Sequence, residues 1–124
     1  MPRGAGLTCA FIALPMFATV ALSQSKPRIC EVGFENHLRL YEGCIASHAY
    51  DYEITGDSAE STAIAAINAC DDYKKNFASY MDNCEGGPPG VGNLTMQKAT
   101  KHFHDYAIRS VIQFRAARLT RKRP

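Results

Sequence analysis

Between Pro27 and Leu119 the apolar residues recur at steps of three and four, the period of a helix with one face turned inward, and turn residues divide the pattern into three segments. The first places Cys30, Phe34, Leu38, Tyr41, Cys44 and Ile45 on one stripe and predicts a helix from about Pro27 to about Tyr50. Asp51 to Gly56 breaks the period. Asp57, followed three residues later by Glu60, has the form of a capping box that starts a second helix. Its inward face reads Ala59, Ala63, Ala66, Ile67, Cys70, Tyr73, Phe77, Met81 and Cys84. The run Gly86-Gly87-Pro88-Pro89-Gly90 cannot continue a helix, because proline lacks a backbone donor and glycine favours termination. A third helix, capped near Asn93 or Thr95, carries Ala99, Phe103, Tyr106, Ala107, Val111 and Phe114, with Ile108, Ile112 and Leu119 widening the stripe. No segment has strand period and nothing repeats. The expected fold is all-α, a small disulfide-stapled bundle of three main helices.

The chain ahead of this pattern has a different character. Residues 1–23 pass from Arg3 through an apolar run, Leu7 to Leu22, to the small residues Ala21 and Ser23, and read as a secretory signal peptide. A membrane anchor is the competing reading. The run contains Pro15 and is shorter than the ~20 residues a spanning helix needs, and no later segment is apolar enough to span. Residues 24–124 then form a single helical domain with a basic C-terminal end, expected to be secreted, extracellular and monomeric.

Loss of the leader removes Cys9 and leaves Cys30, Cys44, Cys70 and Cys84, an even count that reads as disulfides in a small secreted chain. Cys30 to Cys44 and Cys70 to Cys84 are both 14 apart, about 21 Å along a helix, so neither pair can bridge within its own helix. Partners in an antiparallel hairpin have a constant index sum. The numbers of Cys30 and Cys84 add to 114, as do those of Cys44 and Cys70, which predicts these two bridges. The parallel pairing fails for helices joined by a short loop. A zinc site would need CxxC spacing and a reducing compartment.

The charge is two-ended. Without Arg3 the net charge is +1, but residues 24–93 carry 5 basic and 11 acidic groups, whereas residues 94–124 carry 8 basic groups against Asp105 alone. Arg109, Arg115, Arg118, Arg121, Lys122 and Arg123 form a basic C-terminus that could contact anionic lipid. Its plainer reading is a solvated helix end favoured by the dipole. Nucleic acid fits poorly, since no aromatic-basic recognition module is present. Asn93-Leu94-Thr95 is a glycosylation sequon beside the glycine-rich loop.

The widely spaced cysteines, followed by Asn93-Leu-Thr-Met-Gln-Lys-Ala-Thr-Lys-His-Phe-His-Asp-Tyr-Ala107, resemble the microplusin and hebraein family of tick antimicrobial proteins. The resemblance implies a helical cysteine-stapled core and activity by sequestering copper or iron from microbes. Family members carry six cysteines and a histidine-rich tail. This chain lacks the third pair and ends in Arg118-Leu-Thr-Arg-Lys-Arg-Pro124.

The candidate metal ligands are His37, His48, His102 and His104. His102 and His104 point about 200° apart on a helix and cannot chelate one ion together. His37 and His48 are separated by about 16.5 Å along theirs, so a site requires convergence from different helices. Taken singly, each histidine reads as a packed or solvated side chain. The mature N-terminus, Gln24-Ser25-Lys26, has no histidine in third position for an amino-terminal copper clamp.

A nucleophile elbow, an HExxH motif and a phosphate-cradling glycine loop are all missing, and His104-Asp105 is not cysteine-flanked as a secreted phospholipase would require. The expectation is a non-enzyme, a host-defence protein whose partners are a microbial surface or a metal ion. The alternative is a secreted binding module, either a small-ligand carrier or a salivary-type effector that engages a protein. A pocket lined by Phe34, Tyr41, Phe77, Phe103 and Phe114 would favour the alternative, and converging histidines the first reading.

Overall fold

The computed structural model describes residues 27–123, so the signal-peptide reading and the Gln24-Ser25-Lys26 terminus lie outside the described residues. The described chain is all-α, with six helices and no strand among the described residues. Each of the three predicted rods is present, and each is broken once.

The first rod divides into α1 (Arg28–Glu31) and α2 (Phe34–Tyr52). Val32 and Gly33 are extended, and the Gly33 carbonyl accepts the first amides of α2, so Cys30 and Cys44 do not share a helix as expected. The second rod divides at Cys70, whose φ −104° and ψ 20° separate α3 (Ala59–Ala69) from α4 (Asp71–Cys84). Its cap is Ser58 and not Asp57: the Ser58 hydroxyl accepts the Ser61 amide at 3.1 Å. The break turns the inward face of α4, which buries Phe77, Ala78, Tyr80 and Met81 and leaves the predicted Tyr73 exposed. The third rod starts earlier than predicted, as α5 (Val91–Lys98), and after Ala99 continues as α6 (Thr100–Arg121).

Gly90, in the left-handed region at φ 85°, turns the chain into α5. Asp82 on α4 then accepts the Gly92 amide at 2.7 Å, a carboxylate placed at a helix N-terminus. Gly92 is buried against α4 so closely that a Cβ there would lie 2.0 Å from the Ala78 carbonyl oxygen.

Both predicted bridges form. Cys30–Cys84 spans 5.5 Å between Cα atoms and ties α1 to the end of α4, while Cys44–Cys70 spans 6.0 Å and ties the middle of α2 to the α3–α4 break. α2 packs on α3, α4 and α6, and α3 packs on α6. Where these helices cross, Ala49, Ala63, Ala66 and Ala107 are fully buried, small side chains that permit close approach. Larger groups, Tyr41, Ile45, Phe77, Met96 and Phe103, fill the core beside them. Ile112 and Leu119 were expected to widen the core stripe of α6 but are 53% and 64% exposed. Phe34 is likewise largely exposed, touching Phe77 edge-on at 5.1 Å.

Candidate functional site

The four histidines are placed in separate surroundings. His37 is buried, its Nε2 3.0 Å from the Ile29 carbonyl and its ring 4.6 Å from that of Tyr80, so it fastens α1 to α2 and α4. His102 faces α2, with Nε2 3.3 Å from Glu42. His104 faces α3, with Nε2 3.9 Å from Glu60. The opposed directions expected of His102 and His104 are therefore realised, and the required convergence is not.

His48 has a different neighbourhood. Together with Cys44 and Cys70 it forms the one cluster of potential metal ligands among the described residues, their ligand atoms within 4.8 Å of one another. Both sulfurs are joined in the Cys44–Cys70 bridge, which removes the thiolates a metal would take. His48 Nδ1 is buried without a hydrogen-bond partner beside that bridge. An open groove of about 820 Å³ runs past His48, Cys44, Leu40 and Tyr73.

At the far end of the bundle two of the predicted surface cations have structural partners. Arg115 donates from Nε to the Glu53 carbonyl at 3.2 Å, and from Nη2 to the Asp57 carbonyl at 2.7 Å and the Thr62 hydroxyl at 3.2 Å. Arg118 Nη2 lies 3.3 Å from Oε2 of the buried Glu53, an ion pair without the alignment of a hydrogen bond. The basic segment thus reaches back into the acidic half at Arg115 and Arg118. Arg121, Lys122 and Arg123 remain exposed beyond this clip. Ile112, Ala116 and Leu119, spaced four and three apart, form an exposed apolar stripe on α6 that leads toward Arg123.

The five aromatic residues proposed as one pocket are distributed. Tyr41 and Phe103 meet edge-on at 4.7 Å and line a cavity of about 180 Å³. Phe34 pairs with Phe77, and Phe114 pairs with Tyr50 at 5.3 Å beside the arginine clip. Burial pushes the Tyr41 phenol above its ordinary value, with Asp71 adding to the effect. Hydrogen bonding to Glu85 at 2.5 Å does the same to Tyr80. Along the helix surfaces Lys75 holds Asp71, and Lys101 holds Asp105, below the usual carboxylate range.

Asn93 is exposed, and lies within the first turn of α5 instead of the loop before it. No helix among the described residues is long and apolar enough to cross a membrane. Sequence reasoning missed the role of Arg115, whose partners are 53 to 62 residues away, and the cavity beneath Tyr41. Neither leaves a periodic signal. Comparison with protein families, curated proteins and solved structures finds no match to this chain.

Proposed function

We propose that the protein is a secreted host-defence protein that engages anionic microbial surfaces through the last turns of α6. The observation that carries this reading is the exposed stripe Ile112, Ala116 and Leu119 with the exposed cations Arg121, Lys122 and Arg123 at its end. Apolar side chains flanked by cations suit the boundary between headgroups and acyl chains. The clip at Arg115 and Arg118 supports it further, since it fixes the base of this stripe to the bundle. The disulfide frame and the segment from Asn93 to Ala107 add the resemblance to microplusin and hebraein proteins.

Copper or iron withholding, the other route that resemblance implies, would need ligands brought together beyond the histidine positions described above. Two assays separate the routes. Vesicle binding should favour anionic over neutral lipid and weaken as the Debye length falls from ~10 Å at 0.1 M salt to ~3 Å at 1 M. Growth inhibition should persist in excess copper and iron. Equal binding to both lipids refutes the surface reading, and rescue by added metal with loss of copper binding in a four-histidine-to-alanine variant restores the metal reading. A second reading, a small-ligand carrier, is favoured by the cavity beneath Tyr41.

A further inference from the structure

The cavity among α2, α3, α4, α5 and α6 has a chemistry of its own. It is a partly open pocket of about 180 Å³, room for about six water-sized groups at ~30 Å³ each. Ile64, Ile67, Met96 and Phe103 make most of its wall apolar. Water in such a wall finds few partners, whereas an aliphatic chain of about six carbons does not need them.

Five polar side chains, Tyr41, Asn68, Lys74, Thr100 and His104, interrupt the wall, and the Thr100 hydroxyl is spent on the Met96 carbonyl. Tyr41 is 1% exposed and lines the cavity, yet its hydroxyl makes no hydrogen bond to another described residue. A phenol hydroxyl at the lining can donate to a guest in the cavity. Lys74 lies at the same cavity and forms no ion pair with a described carboxylate. Asp71, one turn earlier on α4 and near enough to act on Tyr41, is engaged by Lys75 at 2.6 Å. His104, also at the lining, is turned toward Glu60. Lys74, whose charge also bears on Asp71, is the cation at the cavity without an ion-pair partner among the described residues, and it suits an anion.

Building on the carrier reading, we propose that this cavity binds a short aliphatic monocarboxylate, its chain against Ile67, Met96 and Phe103 and its head group held by the Lys74 ammonium and the Tyr41 hydroxyl. A monocarboxylate matches both features: one negative end that accepts two hydrogen bonds, and a body without polar atoms.

The test titrates the oxidised mature protein with hexanoate, and separately with hexan-1-ol, following the Met96 methyl resonance and the heat of binding. Hexanoate should bind saturably, at least tenfold more tightly than hexan-1-ol. Lys74→Met and Tyr41→Phe should each weaken hexanoate about tenfold or more while leaving hexan-1-ol unchanged, and unchanged thermal melts confirm that both variants are folded. Equal affinity for the acid and the alcohol, or hexanoate binding indifferent to Lys74→Met, overturns the carboxylate proposal and leaves the carrier reading standing. If neither ligand shifts the Met96 resonance, both fall.

Discussion

Where α1 meets the end of α4, the bundle is held by the Cys30–Cys84 bond, by His37 against Tyr80, and by Gly92 pressed on the backbone of α4. At the opposite end of α2, where α3 begins and α6 finishes, the same three rods are held by one guanidinium that bonds three oxygens and by a second paired with a buried carboxylate. One end is covalent and tightly packed, and the other is polar and non-covalent. The difference matters because a charged clip yields to a single substitution, whereas the stapled end combines several independent restraints. The exposed cationic turns proposed as the contact surface extend from the weaker end. Local opening there should precede global unfolding.

Four experiments test this contrast, from the largest effect to the smallest. Cys44 and Cys70 close a loop nested inside that of Cys30 and Cys84, so removing either bridge while keeping the other frees a similar length of chain. The paired substitution Cys44→Ala with Cys70→Ala should cost about 3.5 kcal/mol in urea unfolding by the chain-entropy relation. Gly92→Ala should cost about 3 kcal/mol, because the new Cβ meets a backbone oxygen that cannot rotate away. Arg115→Ala should cost about 2 kcal/mol and speed amide exchange in the last turns of α6 while protection in α4 is retained. Uniform loss of protection would show that the two ends are one cooperative unit and abolish the distinction.

The smallest effect lies in alkali. The chain has 6 Tyr and no Trp, so phenol ionisation is read cleanly from absorbance near 295 nm. Tyr80, through its hydrogen bond to Glu85, and Tyr41, through burial, should ionise above the ordinary value of about 10. A raised folded value favours the neutral phenol, so the associated stability is present below pH ~10 and is lost as pH rises through the folded value. Tyr80→Phe should remove one late ionisation and leave that of Tyr41. Persistence of both late steps in that variant would place the hydrogen bond elsewhere.

The stapled end was far more legible in the sequence than the clipped end. Two cysteine pairs of equal 14-residue spacing carry their pairing in arithmetic that survives the break at Val32 and Gly33, because two residues of extension shift the register by less than a disulfide's reach. Helix positions were readable for the same reason: each apolar stripe is periodic. The breaks were not, since Cys70 and Ala99 are ordinary helix residues whose departure is set by packing. Arg115 resembled any cation near a helix C-terminus, and only the fold reveals that Glu53, Asp57 and Thr62 converge on it. The histidines show the converse: residue type suggested shared chemistry, and tertiary structure directs them to a carbonyl, two glutamates and a disulfide.

The nested bridges have a topological consequence for limited proteolysis. Both cross the turn between α2 and α3, so a protease that cuts at the exposed Gly56 produces two polypeptides still joined by two covalent bonds. A cut at the exposed Pro89, beyond Cys84, instead leaves α5 and α6 attached only by non-covalent contacts. The same enzyme would therefore yield either a two-chain protein heavier only by one water or a detachable cationic helical peptide, according to which of two surface turns it reaches first.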